Sequence, residues 1–197
     1  MKLTKKEQAL INFIKEELRE YRGSLILHDS YMAKYRGKDY SSGYFECPGV
    51  NKQIKLPRLH VAISRPKKEW LSTMLHEFCH FLQWKKQTKC WKQYRKDESI
   101  ESSANLEREC EKMTIALIRK QKFDDIIDIT TYIKSANAYI LFYQICAITD
   151  KWYEKAPFTF KEILDEVPDK LVTNPFKRRL SDELIGLYLR KCYKRKK

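Results

Sequence analysis

The chain has 197 residues, 43% hydrophobic and 13% aromatic, with only 5 Gly and 6 Pro; that is enough for one substantial core and too little Gly and Pro for long disordered linkers. Its 40 Lys and Arg against 26 Asp and Glu give a formal charge of +14, which favours polyanionic partners and says nothing about fold. The six cysteines form no CxxC pair, the opening MKLTKKEQAL lacks the apolar run of a signal peptide, and the longest apolar stretch, 136–149, is broken by Asn137 and Gln144. A single cytoplasmic domain over 1–197, with reduced thiols and no membrane anchor, is the expectation.

From Thr4 to about Arg22, Leu10, Ile11, Phe13, Ile14 and Leu18 fall on one side of a helix whose other side is Lys and Glu, with Gly23 as its stop. Ser24 to His28 is a short apolar run bounded by turn formers and reads as a strand. A polar stretch containing Tyr31, Tyr35 and Tyr40 follows, then a strand at Tyr44 to Cys47 and a turn at Pro48-Gly49. The run Ile54 to Ile63 reads as an edge strand, because Pro57 cannot donate to a ladder on both sides. His28 and His60 lie on these strands, where a histidine is more often packed than a ligand.

Ser64-Arg65-Pro66 starts the helix on which the chemistry concentrates. Between Trp70 and Trp84 the sequence contains His76-Glu77-Phe78-Cys79-His80, an HExxH motif, inside a run where Leu71, Met74, Leu75, Phe78, Phe81 and Leu82 recur at helical spacing. Residues four apart share a helix face, so His76 and His80 can offer two imidazoles to one Zn²⁺ while Glu77 stands beside the open coordination position as general base. A His-Glu-His set on a mostly buried helix is costly unless it is paired or metal-bound. Cys79 points away from the histidine face and is expected in the core.

After a polar, basic segment at 85–99 anchored by Trp91 and Tyr94, a second long helix runs from about Ile100 to Lys120, with Leu106, Cys110, Met113, Ala116 and Leu117 available to pack inward. No histidine follows His80, so a third metal donor should be a carboxylate. Glu107 lies 27 residues after His80, enough for a turn and an antiparallel return, and Glu111, one turn on, can hydrogen-bond a ligating imidazole. Glu109 points elsewhere, and Glu101 is a weaker option because it stands near the helix start, where an acidic residue is favoured by the dipole alone.

Ile133 to Tyr153 reads as a long apolar helix that packs centrally, with Asn137, Tyr139 and Tyr143 able to reach a cleft, although such tyrosines are more often core or rim. Phe158 to Val167 and Ser181 to Arg190 read as two further helices, Ser181 capping the second. Lys177-Arg178-Arg179 and the basic run 190–197 suit phosphate contacts, which makes nucleic acid a partner through the tail; a plain solvated terminus is the competing reading.

The HExxH helix followed by a glutamate helix resembles the gluzincin metallopeptidases. More closely, Gly43-Tyr44-Phe45, Leu59 to Ala62, Trp70-Leu71, His76 to Trp84, Leu106 to Lys112, Ala136 to Tyr139 and Lys151-Trp152-Tyr153 resemble a family of small phage-encoded proteins regarded as metallopeptidases. The resemblance spans about residues 43 to 158 and implies His76, His80 and Glu107 as zinc ligands and Glu77 as base. It also implies a host-cell cytoplasmic or virion-associated location.

The expected architecture is α+β and zincin-like. A small N-terminal sheet with an edge strand (1–65) precedes the metal-site helices (66–120) and a helical C-terminal lobe (121–197). The expected activity is zinc-dependent hydrolysis of peptide bonds in a protein or peptide substrate, by a metal-bound water with Glu77 as base. The alternative is a non-catalytic, metal-stapled virion or nucleic-acid-associated binding protein.

Overall fold

The computed structural model describes residues 2–49 and 53–193, and the last four residues of the basic run, 194–197, lie outside them. The fold is α+β: among the described residues there are seven α-helices, a small mixed sheet and a separate two-stranded hairpin. The chain forms two compact units, Met1–Thr88 with Ala116–Asp128 and Lys89–Ile115 with Ile129–Lys197. Among the described residues, no helix is long and apolar enough to cross a membrane.

In the first unit, α1 (Lys5–Arg19) begins at Thr4, whose side chain accepts from the Glu7 N–H while Glu7 reaches back to the Thr4 N–H. The helix stops at Arg19, and the left-handed residue of the turn after it is Arg22 (φ 54°), where sequence pointed to Gly23. Gly23 is required for room instead, since a Cβ there would meet the Pro57 carbonyl at 2.7 Å. Leu10, Ile11, Ile14 and Leu18 are buried, and α1 packs on α2 (Lys67–Lys86) through Phe13 against Phe78 and Tyr21 against Phe81 and Trp84. Lys85 on α2 pairs with Glu17 and Glu20 on α1, both at 3.1 Å.

Strands β1 (Ser24–His28), β4 (Gly43–Glu46) and β5 (Arg58–Ala62) form the sheet, in the order β1-β5-β4. The 54–63 strand is therefore central rather than at the edge, parallel to β1 and antiparallel to β4. Pro57 permits this because it stands one residue before β5, where its missing N–H costs no ladder bond while its carbonyl accepts from Ser24 N at 3.1 Å. The edge on the motif side is β4. Gly43 and Phe45 face α2, with Phe45 against Phe81 and Trp84, whereas Tyr44 and Glu46 face the opposite side together with His60.

The polar stretch after β1 hides a second hairpin, β2 (Ala33–Tyr35) and β3 (Lys38–Ser41), turned by Arg36 and Gly37, both at positive φ. The Tyr44 hydroxyl donates to the Lys34 carbonyl at 2.8 Å, pinning this hairpin to the sheet.

In the second unit, α3 (Lys89–Asp97) buries Trp91, and the 100–115 part of α4 (Ile100–Lys120) turns Leu106, Cys110, Glu111, Thr114 and Ile115 inward. Ala116, expected inside, is exposed, and Met113 and Leu117 are half-buried, because the buried stripe follows 104, 111, 115 and 118. Helix α5 (Ile129–Thr149) both starts and ends four residues earlier than expected. Trp152 and Tyr153 lie beyond it, in a cluster with Phe142. Ala138, Leu141, Phe142 and Ile145 form a core with residues of α6 (Lys161–Glu166) and α7 (Asp182–Cys192), Ser181 capping the latter. All six cysteines are free thiols, Cys79 fully buried.

Candidate metal centre

Helix α2 buries Trp70, Leu71, Met74, Leu75, Phe78 and Phe81 and holds the motif rigidly, so the positions of His76, Glu77 and His80 follow from helix geometry and not from a loop. The Nε2 atoms of His76 and His80 face each other at 3.1 Å, rings near perpendicular. Two nitrogens bound to one zinc at about 2.0–2.1 Å and a tetrahedral angle lie about 3.3 Å apart, so the pair fits a shared ion with almost no adjustment. Without a cation the same spacing is that of one N–H···N hydrogen bond with the proton on His76.

Gln83, fully buried three residues after His80, orients this pair. Its Oε1 lies 2.8 Å from His80 Nδ1. An amide oxygen only accepts, so the proton sits on Nδ1 and the Nε2 lone pair is left to face His76. Sequence reading missed Gln83; its signal was a polar side chain at i+3 from a ligand candidate, on the apolar face of the helix.

Glu77 is 8% exposed. Its side chain passes β4 at Gly43, where a Cβ would stand 3.2 Å from Glu77 Cγ, 2.6 Å from Thr73 Cγ2 and 3.0 Å from the His60 carbonyl. Gly43 thus lets the edge strand lie directly on the motif face of α2.

Glu107 and Glu111 belong to the second unit. Glu111 is buried and accepts from the Tyr132 hydroxyl. Glu107 neighbours Tyr139 and Tyr143, whose hydroxyls bond each other at 3.3 Å. Burial first, and the adjacent carboxylate among the other causes, push both phenols well above their ordinary pKa, so both keep their protons at neutral pH. Asn137, expected to reach a cleft, is instead consumed structurally: its Nδ2 donates to the Pro168 and Lys170 carbonyls at 2.7 and 2.9 Å, and its Oδ1 accepts from Val172 N at 2.9 Å.

His28 and His60 form the other histidine pair, His28 Nε2 to His60 Nδ1 at 3.0 Å, on the sheet face away from α2. The His60 ring stacks on Tyr44 at 4.3 Å, and its Nε2 lies 3.6 Å from Glu46. Compared with protein-family models, with curated proteins and with solved structures, the chain matches none.

Proposed function

We propose that the chain is a zinc-dependent metallopeptidase of zincin-like construction. The observation that carries this reading is the His76–His80 Nε2 pair at 3.1 Å, with His80 held in its Nε2-acceptor tautomer by Gln83. Zinc bound there supplies a Lewis acid and makes water acidic enough to deprotonate near neutral pH.

The protein's own groups do the rest. Glu77, adjacent to His76 and enclosed by α2 and β4, accepts a proton from the attacking water and passes it to the leaving amine. Strand β4 offers an edge along which an extended peptide can add as a further strand, beside Glu77 at Gly43.

The third ligand in this reading is Glu107, with Glu111 acting on the ligands through hydrogen bonds. The Cys110 thiol is the second candidate donor: it lies one turn further along the same helix, and one cysteine with two histidines is a donor set that zinc also accepts. If Glu107 and Cys110 both ligated, four protein donors would close the shell and the metal would be a structural staple, which is the form the non-catalytic alternative takes.

The activity is tested by incubating zinc-loaded wild type and Glu77→Gln with a mixed peptide library and sequencing the products. Cleavage by wild type that Glu77→Gln loses by at least about a hundredfold supports the reading. Cleavage unaffected by Glu77→Gln contradicts it.

A further inference from the structure

The sheet face opposite α2 carries a feature that the metal centre does not use. The β2–β3 hairpin lies over this face and leaves a cleft of about 300 Å³, whose lining includes Lys34, Tyr35, Arg36, Tyr44, Arg58 and His60 and one carboxylate, Glu46. All of it belongs to the first unit. Two of the lining rings, Tyr35 and Tyr44, meet at 5.8 Å, and Tyr40, outside the lining itself, packs on both of them at 5.6 and 5.2 Å. Their base is fixed: Tyr44 lies 5° from parallel over His60, and His60 is held in turn by His28.

Charge and exposure select the ligand. Glu46 is engaged with Arg58 at 3.5 Å and His60 at 3.6 Å, whereas among the described residues Lys34 and Arg36 make no ion pair. Two cations thus stand beside the aromatic cleft outside any ion pair among the described residues, Lys34 with Asp39 opposite it in the ladder and Arg36 with its guanidinium over the Tyr35 ring. Tyr40 is 60% exposed although its ring touches those of Tyr35 and Tyr44, which leaves a large part of an aromatic surface facing water. Between positions 34 and 40 the rings of Tyr35 and Tyr40 are interleaved with Lys34, Arg36 and Lys38, with Asp39 the one acidic residue, a pattern that suits a chain of alternating flat bases and phosphates. An acidic peptide would satisfy the cations and leave the rings unused.

We propose that this cleft binds single-stranded nucleic acid, taking a base against Tyr40 and Tyr35 and the adjoining phosphate at Lys34 and Arg36. The site is independent of the metal centre, since it lies on the other face of the sheet, and His76→Ala leaves it intact.

The test is anisotropy of a labelled oligothymidylate of about 12 nucleotides on the full chain, in about 50 mM salt. Wild type binds, Tyr40→Phe binds like wild type, and Tyr40→Ala weakens binding about tenfold or more, without any change of charge. Lys34→Ala with Arg36→Ala also weakens it and lowers the salt slope by about 1.4. Circular dichroism of each variant checks the fold. No binding by wild type overturns the proposal, and so does wild-type affinity in Tyr40→Ala, which would leave only diffuse attraction to a basic protein. Competition by thymidine monophosphate as strong, per nucleotide, as by the oligomer would replace the single strand with a free nucleotide as ligand. Competition by inorganic phosphate as strong as by the monophosphate would overturn the stacking role.

Discussion

His80 Nδ1 lies 2.8 Å from Gln83 Oε1, a buried amide that fixes which nitrogen of the imidazole carries the proton. Tautomer, not proximity alone, decides whether two facing histidines can share a cation. Replacing Gln83 with Leu keeps the volume and removes the acceptor. Metal affinity of Gln83→Leu, measured by chelator competition, should fall about 10–100-fold. Unchanged affinity would mean that the amide only fills space.

Gly43 and Thr73 define a second relationship, because a Cβ at 43 would sit 2.6 Å from a β-branched methyl and 3.0 Å from the His60 carbonyl. Gly43→Ala should lower stability by about 1–3 kcal/mol in thermal unfolding. Adding Thr73→Ser removes the nearer obstacle and should restore part of the loss, whereas the backbone contact keeps the double variant below wild type.

Asn137 closes the loop at 168–172 with three hydrogen bonds made from inside the core. Asn137→Ala strands two carbonyls and one N–H, and the expected cost is about 3 kcal/mol or more in denaturant unfolding. Hydrogen exchange at the Val172 amide should accelerate in parallel. Normal protection at Val172 would contradict the assignment.

The His28–His60 pair should make the first unit sensitive to acid. Burial, partly opposed by Glu46, holds His60 below the ordinary histidine pKa, and the groups facing it are His28 on β1, Tyr44 and Glu46 on β4 and Arg58 on its own strand. The unfolded chain therefore takes up the proton more readily than the folded one. The contribution is complete above about pH 6.5 and is lost as pH falls from there towards the depressed folded value. Denaturant unfolding at pH 7.5 and pH 5 should show a decrease that His60→Asn reduces; an equal decrease in both proteins would contradict it.

Much of this was legible from the chain. The HExxH helix, β1 and the second long helix were readable because their apolar residues repeat at one period and strong breakers flank them. The β2–β3 hairpin was not, since Ala33 is its only fully buried side chain and its turn uses Arg36 in a conformation that sequence seldom signals. The central place of β5 was hidden by Pro57, whose meaning depends on whether it stands within or just before a strand. The His28–His60 contact could not be read at all, because it is set by a parallel register across 32 residues. Of the candidate metal centre, the two histidines and Glu77 came from spacing, whereas Gln83 came from burial.

A peptidase built on helix α2 requires that His76 and His80 hold a metal together. Zinc per chain, measured by plasma mass spectrometry on wild type and His76→Ala purified side by side, tests this most directly. One zinc per chain in wild type, lost in His76→Ala, is the expected result. Zinc absent from the wild type even after reconstitution, or fully retained without the His76 imidazole, would contradict it.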